Sequence, residues 1–465
     1  MKELRRNMRL VGILVVAAFI GLSAWFAMTV FEQGSIWASD SYNTRLRATG
    51  SQRGDITDRN GLVLATTENG TRVYPEDERI RRALAATVGD TLGMSGTGVE
   101  GYFSSQLLDL SDSLVERIGA LTGDTQRKGN SIQLTIDARL TAYVSEIFPE
   151  GYRGAVVIQN YATGEVLAWV SKPDYDPYDA GEDSVEDTAY LNRCLQGLYT
   201  PGSVFKLVTL ASAIEADPNV LNQTFICSGT WEYEGGKIVC AGKTAHGEID
   251  LETALEKSCN VTFGKLAYQL GLDRLKATAE KLGFNENMKL GDFAIYNSQF
   301  PTSTSNMSDL VWAGIGQGTV LVTPMHMAMI TSAIANGGAM LKPTLVQKIT
   351  KSNGTLVQGA HSPTYRQVMS EETANIIAQY MYQAVESGTA QRAAIDGYIV
   401  CGKTGSAETS DDKTVETNSW YTGFIRDSRY PYTITVVIEQ GGAGSRLASE
   451  LARDALKYAI QITDQ

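Results

Sequence analysis

The sequence predicts an α+β protein in three parts: a membrane-crossing helix, a small mixed module, and a larger domain built on one antiparallel sheet flanked by helices. Three observations carry this reading. Leu10 to Phe31 contains no charged residue. Apolar strand-like runs open and close the larger part, and long helical segments lie between them. At 465 residues the chain is also too long for one ordinary domain and long enough to bury a large core.

The first part is residues 1–32. Lys2, Arg5, Arg6 and Arg9 precede LVGILVVAAFIGLSAWFAMTVF, a run that matches the roughly 20 apolar residues a helix needs to cross a bilayer core. A cleaved leader has a shorter apolar stretch ending in small residues, whereas this run continues through Trp25 and Phe26. An uncleaved anchor is therefore expected. Basic residues before the run, with Glu32 and Asp40 after it, place the N-terminus in the cytoplasm and the rest of the chain outside.

The second part, 33–150, is rich in charge and in short elements. RGDITDRNGLVLAT, Arg53 to Thr66, ends in a short strand, and SIQLTIDARLTAYVSEIF, Ser131 to Phe148, reads as a strand followed by a helix. This is a small α+β module rather than a linker. The tripeptide Arg53-Gly54-Asp55 arises by chance too often to point to adhesion.

The third part, 151–465, opens with RGAVVIQNYATGEVLAWVSKP, two Val- and Ala-rich runs joined by Tyr161-Ala162-Thr163-Gly164, which is the pattern of a hairpin. It closes with the strand YTITVVIEQ and an amphipathic helix, SRLASELARDALKYAIQIT, with Ser445 as its expected cap. No repeat or low-complexity tract interrupts it.

Composition narrows the function. A net charge of -12, with no Lys/Arg cluster beyond the first nine residues, argues against nucleic acid as a partner. All five cysteines lie in the part expected outside the membrane, where disulfides persist. Cys227 and Cys240 could close a loop, with the fully reduced alternative left open; an odd count leaves at least one thiol unpaired within the chain. His246, His326 and His361 are far apart and lack metal-ligand spacing. Neither metal nor cofactor is expected.

The chemistry is concentrated in TPGSVFKLVTLASAIEA, Thr200 to Ala216. Pro201 pre-sets a helical φ, and Gly202 lets another backbone approach, so Ser203 is expected at a helix N-terminus with Lys206 one turn on over the same face. Free N–H groups and the helix dipole there stabilise an oxyanion. A desolvated lysine whose ammonium is disfavoured can take the serine's proton.

A serine and lysine at this spacing arise by chance, and Ser410 to Lys413 repeats the spacing in a polar loop. The added weight comes from Ser258-Cys259-Asn260 and Lys403-Thr404-Gly405, which follow in the order used by penicillin-recognising serine enzymes. Two partial copies, Ser41-Tyr42-Asn43 and Lys243-Thr244-Ala245, do not complete a second set.

With these motifs in place, the chain resembles a class B penicillin-binding protein, and most closely its short penicillin-binding protein A type. RGDITDRNGLVLA and GVEGYFSSQL (Gly98 to Leu107) resemble the family's two pedestal motifs. GAVVIQNYATGEVLAWVSKPDYDP, NRCLQGLYTPGSVFK, HGEIDLETALEKSCN, GIGQGTVLVTPMHMA, CGKTGSAE and NSWYTGF resemble successive segments of its transpeptidase domain. Cys259 stands where other penicillin-recognising enzymes often carry Asp.

The resemblance implies a serine β-lactamase-like catalytic fold on a pedestal. It implies a peptidoglycan D,D-transpeptidase that cross-links stem peptides through a serine acyl-enzyme and is a target of β-lactams. The alternatives are a D,D-carboxypeptidase and a β-lactam-binding sensor or scaffold. It assigns Ser203 as nucleophile, Lys206 as base, Ser258 as proton relay and Asn260 as an orienting group. Lys403, with Thr404 and Ser406, is expected to bind the terminal carboxylate beside Gly405, and the N–H groups of Ser203 and Ser406 to form the oxyanion hole. Arg53, Gly54, Asp58, Arg59 and Gly61 are expected to be architectural. The implied partner in the membrane is a polytopic glycan polymerase of the SEDS type.

Overall fold

The computed structural model of the chain describes residues 2–38, 52–108, 128–290, 293–304, 306–359, 364–408 and 415–465. The decoys at Ser41 to Asn43 and Ser410 to Lys413, and His361, fall outside these residues. Lys2–Ala38 forms one helix, in which Arg6–Phe26 is long and apolar enough to cross a membrane. The side chains from Leu10 to Phe26 are exposed, as an apolar helix is when lipid is its solvent.

The catalytic part is organised by a five-stranded antiparallel sheet in the order Val400–Ala407, Asn418–Ile425, Tyr432–Ile438, Gly154–Asn160, Val166–Lys172. The last two strands are the hairpin read from the sequence. Its turn is held by Asn160 Oδ1, which accepts from the N–H groups of Ala162 and Thr163. These strands are apolar on both faces because both are covered. Val156 and Ile158 face one core with Leu451 and Leu456 of the C-terminal helix Leu447–Thr463, while Ala155 and Val157 face the other, with Phe205 and Leu207.

That C-terminal helix starts later than expected. Arg446 occupies its cap position and makes no side-chain cap hydrogen bond. Ser445 instead lies at the cleft described below.

Two features cross the expected boundary at 150. The helix Ala138–Glu146, capped by Asp137, buries Leu140 and Val144 in the core that holds Val156 and Ile158. It belongs to the catalytic domain, because its apolar stripe has that sheet to cover. Conversely, the hairpin Val346–Thr350 and Leu356–Gly359 leaves the catalytic domain and joins the pedestal sheet. Val346–Thr350 pairs antiparallel with Ser131–Leu134, giving six strands in which Ile56–Thr57 is also parallel to Ser131–Leu134.

The two pedestal motifs meet at Glu100. Glu100, fully enclosed, accepts from Arg53 at 2.8 Å and Arg72 at 2.6 Å, which ties the two motifs together. Gly61 turns the chain at φ +87°. Asp58 accepts from the backbone of Asn60, Leu62 and Ala138. Arg59 reaches Glu165 in the catalytic hairpin at 3.4 Å, so this motif does join pedestal to catalytic domain.

Candidate active site

Ser203 lies in a 3₁₀ turn, Gly202–Phe205, that runs directly into the buried helix Lys206–Ala216. Gly202 adopts φ +56°, and a Cβ there would lie 2.6 Å from the Ser406 carbonyl oxygen. Only glycine lets the serine turn press against the strand that carries Lys403, Thr404 and Gly405. Gly405 serves the same contact from the other side, since a Cβ on it would lie 2.9 Å from Pro201 O and 3.1 Å from Val204. Close packing is therefore what requires glycine at 405. The GIGQG segment supplies the remaining wall: Gly202 N donates to Gly316 O at 2.8 Å, and Thr209 Oγ1 to Gly314 O at 2.6 Å.

The middle motif lies between two helices, Leu251–Glu256 and Asn260–Lys281. Ser258 bridges them at φ +54°, a strained conformation for a residue with a side chain and one that accumulates at functional sites. The strain is rewarded by its contacts. Lys206 Nζ donates to Ser258 O at 2.7 Å, Ser258 Oγ at 3.1 Å and Asn260 Oδ1 at 2.7 Å. Lys403 Nζ donates to the same Ser258 Oγ at 3.0 Å and to Thr404 O at 2.8 Å. Asn260 is itself fixed by donating to Val239 O at 2.8 Å.

Two wholly buried lysines thus converge on one hydroxyl. Burial pushes Lys206 down to about 8 from the usual lysine range. Burial, then repulsion from Lys206, holds Lys403 well below that range. Three acceptors around Lys206 satisfy an ammonium; losing one proton frees a lone pair without removing the two remaining donors. A buried lysine in that state can act as a base.

Ser203, Ser258, Asn260, Thr404, Gly405 and Ser406 line one cleft of about 750 Å³. Lys206 and Lys403 lie buried behind that lining and reach it through Ser258 Oγ. All eight residues expected from the motifs are therefore brought together. Trp420 is a packing residue, fully buried, with Nε1 donating to Thr200 O at 3.1 Å.

Thr389 was not singled out by the sequence. It lines the cleft and accepts from Thr404 Oγ1 at 3.1 Å, and no nearby motif marks it. A second omission is larger. The expectation of no metal rested on His–His spacing, but the fold carries His246 to three cysteines, 227, 240 and 259, with their ligand atoms all within 4.8 Å of one another. The thiols of Cys227 and Cys240 do meet, at 3.6 Å, and remain unbonded. His326 is a core residue whose Nε2 lies 2.9 Å from Leu282 O, and burial lowers its pKa to about 4.

Comparison with known proteins agrees with this geometry. Residues 154–457 match the penicillin binding protein transpeptidase domain. The chain is 29% identical to peptidoglycan D,D-transpeptidase PbpA of Mycolicibacterium smegmatis, covering 98% of this chain and 99% of that one. It is 28% identical to peptidoglycan D,D-transpeptidase MrdA of Haemophilus influenzae, over 71% of this chain and 56% of that protein. Among solved structures, the ceftriaxone acyl-enzyme of penicillin-binding protein A from M. tuberculosis superposes with a TM-score of 0.80 at 26% identity, covering 89% of this chain and 99% of that one. The D,D-transpeptidase domain of a peptidoglycan glycosyltransferase from Eggerthella lenta gives 0.78 at 28%, with the same coverage. With the nucleophile turn, the strained serine and the paired lysines all inside the matched region, the chain belongs to the penicillin-binding protein transpeptidase family.

Proposed function

We propose that the chain is a peptidoglycan D,D-transpeptidase, held by one N-terminal helix with its N-terminus in the cytoplasm and its catalytic domain outside, and that β-lactams acylate it. The observation that carries the reading is the hydroxyl of Ser258, which lines the same cleft as Ser203 and is shared by Lys206 and Lys403.

Neutral Lys206 accepts the Ser203 proton as Oγ attacks the carbonyl between the two terminal D-alanines. The N–H groups of Ser203 and Ser406 hold the oxyanion, a role supported by the contact that Gly202 permits between the two segments. As the C–N bond breaks, Ser258 passes a proton from Lys206 to the departing D-alanine nitrogen. Lys403, Thr404 and Ser406 hold the D-alanine carboxylate while it is still part of the substrate. An amine from a neighbouring stem then attacks the ester, gives up a proton, and restores Ser203.

The test is intact mass and peptide mapping of the full chain after exposure to a labelled penicillin, then incubation with a donor stem peptide and an amine acceptor. One label on Ser203 and an amide-linked product are expected. Label elsewhere, no label on the wild type, or release of hydrolysed donor alone would reject the assignment. The anchor and pedestal are the surfaces on which we place a multi-span glycan polymerase, with Gly12, Ala17, Ala18, Gly21 and Ala24 as the small residues that permit close helix packing.

A further inference from the structure

We propose that Cys227, Cys240, His246 and Cys259 form a closed structural zinc site directly beneath the Ser258–Asn260 turn. Four segments deliver the ligands. Cys227 ends the strand Phe225–Cys227, Cys240 follows the strand Gly236–Val239, His246 precedes the strand Gly247–Ile249, and Cys259 caps the helix Asn260–Lys281. The three cysteines are buried.

Four of the six ligand–ligand distances are close to those of a tetrahedron, and all six lie within 4.8 Å. Zn–S bonds of about 2.3 Å and Zn–N bonds of about 2.0–2.1 Å place the ligand atoms of a tetrahedral site about 3.5–3.8 Å apart. The sulfurs of Cys227 and Cys240 are separated by 3.6 Å, and those of Cys240 and Cys259 by 3.7 Å. His246 Nδ1 lies 3.3 Å from Cys227 Sγ and 3.8 Å from Cys240 Sγ. Three sulfurs and one imidazole are a soft donor set that fits zinc rather than calcium or magnesium.

The surroundings suit bound thiolates. Thr262 donates to Cys259 Sγ from both its backbone N–H, at 3.4 Å, and its hydroxyl, at 3.3 Å. Such donors orient a metal ligand and disperse its charge. After Cys240 the chain makes a tight turn, with Gly242 at φ +60° and Lys243 N donating to Cys240 O. The segment between Phe225 and Ile249 contains only two-stranded sheets, which are marginal alone and gain from a staple. A Cys227–Cys240 disulfide would staple them too, but it would leave the Cys259 thiol and His246 Nδ1 facing it without a role; a metal uses all four.

A zinc with three thiolates and one neutral histidine carries one net negative charge. It would sit beside Lys206, whose Nζ is bound to Ser258 and Asn260, the residues on either side of Cys259. With four protein ligands there is no open position for substrate, so the metal acts as a positioning element for the strained turn. This last step rests on the transpeptidase reading, whereas the metal site itself does not.

The test uses the full chain, purified in detergent without chelator after growth with added zinc. Elemental mass spectrometry should find about one zinc per chain. Cys227→Ser and His246→Ala should lower that content by about tenfold or more, while Cys401→Ser, at a buried thiol outside the cluster, should leave it unchanged. Because ligand variants can misfold, the wild type is also read directly: thiol modification should release zinc, and cobalt substitution should give the visible absorption of a tetrahedral thiolate site. Metal-free wild-type protein, or a Cys227–Cys240 disulfide in its peptide map, overturns the site. Removing zinc should lower thermal stability and slow penicillin acylation, with recovery on adding zinc back. Zinc bound but acylation unmoved by its removal overturns the positioning role alone. Zinc bound to a wild type that takes no penicillin at all overturns the transpeptidase reading and leaves the metal site standing.

Discussion

Replacing Gly202 by alanine should separate the geometry of the site from its chemistry, because it removes no reacting group. Two effects add. An alanine at φ +56° pays about 1–2 kcal/mol for the left-handed conformation. Its Cβ would also lie 2.6 Å from Ser406 O and 3.0 Å from Ser406 C, so turn and strand must part by roughly 1 Å to reach ordinary contact. A displacement of about 1 Å between catalytic groups costs about 10²-fold in rate. The second-order rate of acylation by a fluorescent penicillin should fall by that order, and the melting temperature by about 2–8 °C. Gly151→Ala is the matched control. Gly151 has φ +78° with nothing within 4 Å of a Cβ, so it should show a similar loss of stability with unchanged acylation. Acylation of Gly202→Ala within about threefold of wild type would show that the serine turn and the Ser406 strand need no close contact, and would remove the structural basis for their shared oxyanion hole.

Lys206→Arg keeps a cation but one that does not deprotonate; acylation should drop by about 10²–10⁴-fold, and near wild-type acylation would assign the base elsewhere. Since burial lowers Lys206 to about 8, the neutral base becomes the major form above that pH. Acylation should therefore climb through pH 7–9 and level off, and a rate independent of pH there would contradict the assignment; the same depressed pKa makes stability rise, not fall, with pH above about 8, because the unfolded lysine still holds its proton. Glu100→Ala strips the shared carboxylate from Arg53 and Arg72 and should destabilise the chain by about 3–5 kcal/mol in chemical denaturation, with a loss under about 1 kcal/mol showing that the pair is not tightly coupled to folding. Exchanging Leu10 to Phe31 for an unrelated apolar helix should preserve penicillin binding but abolish growth support and polymerase co-purification; full complementation would make the anchor a tether only.

Local chemistry was legible in the sequence where a function depends on neighbours along the chain. Ser203 and Lys206 share one turn, Lys403 to Ser406 share one strand, and Ser258 and Asn260 share one helix start, so their order in three short motifs sufficed. Gly202 was readable as a point of close backbone approach for the same reason. What escaped were pairings set by the fold. His246 was compared with other histidines and the cysteines with one another, and the topology that brings Cys227 beside His246 across a strand pair leaves no periodic trace. Thr389 touches Thr404 from a loop after the helix Glu371–Glu386. The apolar face of Ala138–Glu146 revealed that the helix is amphipathic, not which sheet it covers. Ser445 had the right residue type for a cap, but the helix begins two residues later.

The hairpin Val346–Gly359 also sets the order in which the protein can be completed. A chain is made from its N-terminus, so Ser131–Leu134 emerges early, pairs with Ile56–Thr57 on one side, and leaves its other edge open until Val346–Thr350 has been synthesised. During that interval the pedestal presents an unsatisfied strand edge, the kind of template on which neighbouring chains aggregate. The nascent protein thus has a window of vulnerability that closes only after Ser203, the paired lysine-bearing helix and the Cys259 turn have already appeared. A holding factor or a slow, ordered release from the synthetic machinery would act in that window, and a fragment ending before Val346 would never leave it.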